Sequence, residues 1–318
     1  VAQPSLDIVI VNWNSGAHLR RCLESIQAAS RDGFHLNRVV VVDNASSDSS
    51  ADGLDDLGLP CLQICNPLNR GFAAACNQGA SESAAKYLLF LNPDVILLQE
   101  SLAVPIGFME RPDSAPVGIC GIQLLSDSGQ IAPTCSFFPT PSDFFSKVFG
   151  LDLMFPNGFP GAFIPLERHE QSGYVDHVMG AFFLTRRTVF ESLGGFDERF
   201  FVYFEDLDFS YRAFESGWRS YFLAKSKARH KGNACSERAG SARLFYSLRS
   251  RILYSFKHFR RPAAMAVLVA TFVFEPFSRL VRAALCRSPG EMRHTLHAYW
   301  ALWRSVPSLL PTKATGAQ

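Results

Sequence analysis

The sequence has no CxxC pair, no glycine-rich phosphate loop and no apolar run long enough to cross a bilayer. Its eight cysteines stand singly at 22, 61, 65, 76, 120, 135, 235 and 286, without the paired spacing of a zinc ribbon. Several sit in apolar runs, where a thiol packs as a small hydrophobe, and a chain of this length needs no disulfide staples. Neither a Walker loop nor GxGxxG occurs, which counts against ATP-type phosphoryl transfer and nicotinamide binding. The longest nearly unbroken apolar stretch of the last third is 263–274 (AAMAVLVATFVF). As a helix, twelve residues reach only about 18 Å against a hydrocarbon core of roughly 30 Å, so this stretch is expected not to cross. Residues 1–10 carry no basic n-region followed by a long h-region, which makes a cytoplasmic protein the expectation. No internal repeat is visible.

Charge is scarce, at 19% of residues against 47% apolar, in a chain of 318 residues. That apolar share builds a sizeable core and excludes global disorder. The formal charge of +2 hides an asymmetry: residues 1–218 carry 13 Lys/Arg and 26 Asp/Glu, whereas 219–318 carry 18 and 3. A basic end on an acidic body predicts an anionic partner such as a membrane surface. No aromatic-interleaved reading module accompanies the basic residues, so nucleic acid is not the expected partner.

Strand-like and helix-like text alternate over the first 125 residues. Apolar runs at 7–12 (DIVIVN), 38–44 (RVVVVDN), 61–65, 87–91 (YLLFL) and 117–125 read as strands, with helices over 18–28 and 71–85 and a helix cap at 46–48. Continuous apolar strands alternating with helices predict an α/β fold, a mostly parallel sheet covered on both faces. In such a sheet the ligand sits beyond the carboxyl ends of the strands. The polar groups Asn12–Asn14, Asp43–Asn44, Asn66–Arg70 and Asn92–Asp94 are therefore expected to converge on one crevice. Residues 126–172 are rich in Pro, Gly and Phe and carry no clear period. Beyond them 177–185 reads as a strand and 205–216 as a helix with acids in its first turn, and the chain past 240 reads as basic and helical.

Five groups have residue types suited to chemistry. A carboxylate at the end of a buried strand, Asp94, needs a cation or donors to offset its desolvation, and a divalent metal on a diphosphate supplies that; a plain turn is the ordinary alternative. Asp43 and Asn44 suit a base edge or a ribose hydroxyl, or else a cap. The run Asn66–Ala73 enters a small-residue helix, and helix N-terminal amides with Arg70 suit a phosphate. The stretch 194–208 (GGFDERFFVYFEDLD) concentrates carboxylates and aromatics ahead of a helix, where the dipole keeps an acid ionised as a base; a first-turn acidic cluster alone accounts for much of this. His230, among cations, favours its neutral ligating form, although a lone histidine is more often structural.

Taken in order, VNWNS (11–15), VVDNASSD (41–48), N-x-x-NRGFAAACNQG (66–79), LLFLNPD (88–94), GAFFLTRR (180–187), GGFDERFFVYFEDLDFSYR (194–212) and ARHKG (228–232) resemble family 2 inverting glycosyltransferases of the GT-A fold. The most similar members are bacterial rhamnosyltransferases acting on polyprenyl-diphosphate-linked sugars. The resemblance spans residues 5–240 and implies a catalytic domain over 1–240 and a basic, membrane-associating helical region over 241–318. It also implies a nucleotide-sugar donor, dTDP- or UDP-linked, a lipid-linked or other glycan acceptor, and Mg²⁺ or Mn²⁺. Position by position it implies Asn12, Trp13, Asn14 and Asp43 near the nucleoside, and Asn69, Arg70 and Gly71 along the ribose and diphosphate. Asp94 and His230 would hold the metal, with Asn92 where many relatives carry the first acid of an Asp-x-Asp motif. Asp206 would be the base, supported by Glu205 and Asp208. The implied site is a peripheral one on the cytoplasmic face of the inner membrane. Two rival classes have weaker support: a sugar-phosphate nucleotidyltransferase lacks its basic glycine-rich loop after the first strand, and a non-catalytic glycan binder has no need of both Asp94 and Asp206.

Overall fold

A computed structural model of the chain describes residues 3–155, 158, 161–232 and 240–309. Cys235 and the last nine residues of the basic end lie outside them. The described residues fall into two compact units, 1–138, 162–201 and 205–235 in the first and 139–161, 202–204 and 236–318 in the second.

The first unit opens with β1 (Ser5–Asn12), α1 (Ala17–Ala28), β2 (His35–Asp43), β3 (Cys61–Cys65), α2 (Phe72–Ala80), β4 (Tyr87–Leu91), β5 (Val95–Leu97), α3 (Ala103–Met109) and β6 (Val117–Leu125). The valine and leucine runs form strands because both faces are covered. Ile8, Ile10, Val39 and Val41 pack with Leu19, Cys22, Leu23 and Ile26 of α1, while Val9, Val11, Val40 and Val42 pack with Ala73, Ala75 and Cys76 of α2. The segment after β2, expected to begin a helix at 46–48, forms only a 3-10 turn at Asp55–Leu57: Ser46 and Asp48 are spent on the loop that follows β1, as described below.

The unperiodic stretch holds β7 (Cys135–Ser136), and in the second unit α4 (Pro141–Phe149) and α5 (Leu151–Met154), before β8 (Gly173–Val175) returns to the first. The strand expected over 177–185 is two strands, β9 (His177–Val178) and β10 (Phe182–Arg186), broken around Gly180. Then come α6 (Arg187–Ser192), α7 (Glu205–Glu215) and β11 (Arg219–His230). The main sheet runs β3-β2-β1-β4-β10-β6-β11-β5, with β8 also on β11; β7 and β9 form a separate pair. Strands β3, β2, β1 and β4 are mutually parallel, so Asn12, Asp43, Cys65 and Leu91 end at one edge. β10 is antiparallel to β4 with Phe182 opposite Leu91, which brings its amino end to that same edge.

The abundant phenylalanines explain how α7 is seated. Phe196, in the Gly-Gly-Phe turn, lies 4.8 Å from the ring of Phe90 on β4 and 5.3 Å from Phe209 on α7. Phe183 of β10 meets Phe209 edge-on at 5.8 Å. Such edge and tilted contacts add to the burial of large rings and fix the helix against the sheet.

The second unit continues with α8 (Gly240–His258), α9 (Arg261–Val269), a π-helical turn (Ala270–Phe274), α10 (Glu275–Leu285) and α11 (Pro289–Leu309). Leu248, Ile252, Tyr299 and Leu302 form its buried core, and Phe144 of α4 packs on Tyr254 and Phe259. The expected short apolar segment is part of a continuous helix, 261–285, of 25 residues. At about 1.5 Å per residue that is some 37 Å, long enough to span a bilayer, so length does not exclude crossing as the apolar run alone implied. Glu275 in its middle is buried and pairs with Arg251 of α8 and with Arg279.

Candidate active site

The site grows from the sheet edge of the first unit. At the end of β1, the fully buried Asn12 donates from Nδ2 to Asp43 Oδ1 at 2.8 Å, and the same amide reaches Ser46 and Ser50. Asp43 also accepts from the Ser46 N–H at 3.1 Å. Asn14 adopts a left-handed backbone, φ 51°, and its side-chain oxygen caps the N–H groups of Ser47 and Asp48 at 2.7 and 3.2 Å. Asparagine tolerates that conformation better than most residues. Asn12, Asn14 and Asp43 thus lie together, building the loop pair at the carboxyl ends of β1 and β2, with Trp13 between them 40% exposed.

Beside them, Asn69 accepts from the Asn44 amide at 2.9 Å and from the Gly71 N–H at 2.9 Å. The Arg70 side chain is exposed, while its backbone N–H is held by Asn44. Gly71 has φ +88°, and a Cβ there would lie 2.6 Å from the Phe201 carbonyl oxygen, so glycine is required where this loop meets the segment leading to α7. The predicted residues 69–71 therefore adjoin Asn44 as expected from the strand ends.

At the end of β4, the Asn92 N–H donates to the Ala181 carbonyl at 3.0 Å. Two residues on, Asp94 is buried with His230 Nε2 3.2 Å from its Oδ1. The sheet accounts for this meeting of distant residues: His230 closes β11, opposite Val95 of β5. Burial opposes ionisation of Asp94, but the hydrogen bond and charge of His230, its own backbone N–H and the more distant His18 outweigh it and hold the carboxyl below the ordinary aspartate value. A carboxylate oxygen and an imidazole nitrogen are donors that Mg²⁺ and, more readily, Mn²⁺ accept. Among the described residues no third His, Cys, Asp or Glu joins them, so the pair fits a cation that completes its shell from a diphosphate and water.

Asp206 stands in the first turn of α7. Its Oδ2 accepts the Gly180 N–H at 2.7 Å and its Oδ1 the Leu207 N–H at 2.8 Å, and His177 Nε2 lies 3.3 Å from Oδ2. Burial pushes the carboxyl up, but His177 and the two amides outweigh it and keep Asp206 below the ordinary value. Its neighbour behaves oppositely. Glu205 is buried with one carboxyl oxygen lacking a hydrogen-bond partner among the described residues, and burial together with the Asp206 charge raises it well above the ordinary glutamate value. Of the pair, Glu205 therefore holds its proton more strongly and Asp206 gives its up more readily. Asp208 is fully buried on Arg212 at 2.8 Å, whose other nitrogens hold the Leu193 and Gly195 carbonyls, so this pair anchors the Gly-Gly turn.

The route between the two acids is short. Asp206 holds Gly180, the next residue Ala181 holds Asn92, and Asn92 opens the turn to Asp94. Sequence reasoning did not single out His177, Ser46, Ser50 or His18. Only Ser46 carried a signal, as a cap, and His177 lay unmarked in strand-like text.

The sequence profile of the family "Glycosyl transferase family 2" matches residues 7–194, which takes in the β1, β2 and β4 ends and stops before Asp206. The N-acetylglucosaminyl-diphospho-decaprenol L-rhamnosyltransferase of Mycobacterium tuberculosis is 25% identical over 242 residues, 71% of this chain and 75% of that protein. Rhamnosyltransferase WbbL of Escherichia coli is 29% identical over 233 residues, 70% of this chain and 82% of that one. Among solved structures, a mannosyltransferase from Pyrobaculum calidifontis in complex with GDP-Man and Mn²⁺ matches at TM-score 0.55 and 16% identity, covering 98% of this chain and 82% of that one. GalNAc-T7 with UDP, GalNAc and Mn²⁺ matches at TM-score 0.58 and 14% identity, covering 97% and 58%. These structures share the GT-A fold, and the profile covers more than half the sequence: the chain is a glycosyltransferase and belongs to glycosyl transferase family 2.

Proposed function

We propose that the chain is an inverting, metal-dependent rhamnosyltransferase, moving L-rhamnose from dTDP-rhamnose to a hydroxyl of a glycan carried on a polyprenyl diphosphate. The donor and acceptor classes follow the two rhamnosyltransferase relatives, one of which is named for a decaprenyl-diphosphate-linked sugar; a UDP-sugar is the alternative donor. The observation that carries the reading is the Asp206 carboxylate tied through Gly180, Ala181 and Asn92 to the turn bearing Asp94, which meets His230 at the end of β11.

Asn12, Asn14 and Asp43 frame the nucleoside, and Asn69, Arg70 and Gly71 border the ribose and diphosphate, with Asn92 beside them. Asp94 and His230 hold a divalent cation, Mg²⁺ or Mn²⁺, which when bound offsets the charge gathering on the leaving diphosphate. Asp206 takes the proton of the acceptor hydroxyl as that oxygen attacks the anomeric carbon from the face opposite the diphosphate. A base and a leaving group on opposite faces give a single displacement and an inverted centre. Glu205, neutral, supports Asp206 without adding a second negative charge.

The catalytic region is 1–240 and the membrane-associating region 241–318. In the second unit Met265, Val269, Val273, Phe277, Val281 and Leu285 are exposed at every fourth position of helix 261–285, Leu285 at 80%. Leu296, Trp300 and Trp303 of α11 are exposed too, beside exposed Arg282, Arg287, Arg293 and Arg304. Apolar faces rimmed with arginine suit the interface of an anionic leaflet. The buried Glu275 with its Arg251 and Arg279 partners favours lying on the bilayer over spanning it, because a spanning helix would carry this charge cluster into hydrocarbon. The cytoplasmic face of the inner membrane is the corresponding location.

Titration calorimetry with dTDP and UDP, each with Mn²⁺ and with EDTA, tests the donor and metal assignments. Tighter binding of dTDP, strengthened about tenfold or more by Mn²⁺ in the wild type and not in Asp94→Asn, is the expected result. Equal affinity with and without metal would overturn the metal role, and a preference for UDP the donor.

A further inference from the structure

We propose that His177 is a positioning residue for the base, holding the Asp206 carboxylate in its ionised form and in its aim. This rests on the reading of Asp206 as the base. The histidine is set in place by the small β7–β9 ladder, in which His177 pairs with Ser136, and Ser136 Oγ lies 3.0 Å from its Nδ1. That contact engages one ring nitrogen and turns the other toward α7. There Nε2 is buried, has no well-aligned hydrogen-bond acceptor among the described residues, and faces Asp206 Oδ2 at 3.3 Å. The arrangement is that of an ion-pair contact which tightens when the carboxylate or ring shifts slightly, as catalytic contacts do when substrate binds.

The remaining titratable groups around the carboxylate leave His177 as its charged or polar partner. Glu205 on the same helix is raised by its burial, the Cys76 thiol on α2 is pushed up chiefly by burial, and Asp208 is paired with Arg212. The backbone amides of Gly180 and Leu207 fix the carboxylate from two further sides. During transfer the proton leaves the acceptor hydroxyl for Asp206 as the new carbon–oxygen bond forms, and the electron pair of the broken bond leaves on the diphosphate. His177 forms no bond in this step. It stabilises Asp206 before the step and loses that interaction as Asp206 is protonated, so it sets the pH at which the base becomes available.

Two measurements on the full-length protein test the assignment. In the first, which needs no substrate, aspartate labelled with ¹³C at the carboxyl is followed by NMR, and the Asp206 resonance is identified by its loss in Asp206→Asn. Its titration midpoint is expected lower in the wild type than in His177→Leu; coincident midpoints would overturn the pairing. In the second, pH profiles of kcat and KM are taken with dTDP-rhamnose and a lipid-diphosphate acceptor. His177→Leu is expected to lower kcat about 10–100-fold with little change in donor KM, and to move the acid limb of the profile to higher pH. His177→Gln, which keeps an N–H donor, is expected to recover much of kcat at high pH. Unchanged kcat and acid limb in His177→Leu would overturn the proposal, as would a loss expressed only in KM. Failure of the wild type to use this donor would instead sink the donor assignment, leaving the NMR result to judge the pair.

Discussion

Glu205 and Asp206 are neighbours in sequence whose carboxyls shift in opposite directions, and the difference comes from their surroundings. Asp206 has two amides and the nearby His177 ring, whereas one carboxyl oxygen of Glu205 has no hydrogen-bond partner among the described residues. Raised above its ordinary value, Glu205 keeps a proton in the folded state that it gives up when unfolded. Between the unfolded and folded values, stability therefore falls as pH rises; below the unfolded value the group is protonated in both states and contributes no slope. Glu205→Gln removes this penalty. Its Tm should match the wild type near pH 4 and exceed it by a few degrees at pH 8 by scanning calorimetry, with kcat reduced less than about tenfold. A Tm difference that does not grow with pH would contradict a neutral Glu205. Which of the two acids is the base was implied in the sequence only by resemblance. The residues alone show a first-turn acidic cluster, and nothing in their spacing marks the β9 histidine that breaks the tie.

At the scale of elements, β1, β2 and β4 were legible because a strand buried on both faces needs a continuous apolar run. The breaks were not. The text 177–185 reads as one strand, yet it divides around Gly180, where the N–H turns away from the ladder to Asp206. A Cβ at that position would sit 2.9 Å from Asp206 Oδ2. Gly180→Ala should therefore displace the carboxylate and lower kcat about 100-fold or more while leaving dTDP affinity within about threefold; turnover near that of the wild type would contradict the placement. The loop after β2 reads as a helix start because Ser46 and Asp48 are good caps. They are instead taken by Asn12, Asn14 and Gly16 of the neighbouring loop, a tertiary use that local propensity does not reveal. The apolar run 263–274 likewise ended on paper at Glu275, whereas the helix continues because that glutamate is buried on two arginines.

For the whole molecule, the charge split visible in the composition is the part of the account that bears on location. The first 218 residues are acidic, and the arginines collect in the helices whose apolar side chains are exposed. Each apolar side chain buried in a bilayer interface contributes about 1.5–3 kcal/mol and each basic residue near an anionic surface about 1 kcal/mol, the latter screened by salt. Flotation with phosphatidylserine-containing vesicles should recover the protein at low salt and less of it at high salt, and Phe277→Glu with Leu285→Glu should reduce recovery at both. Absence from the vesicle fraction at low salt would contradict the membrane assignment.

The central claim is that Asp206 acts on the acceptor side while nucleotide is held elsewhere on the same sheet edge. Asp206→Asn tests it most directly, with dTDP affinity and sugar transfer measured on one preparation. Nucleotide affinity is expected to stay unchanged while transfer falls by about 10³-fold or more. Transfer at the wild-type rate, or a collapse of nucleotide affinity in step with transfer, would contradict it.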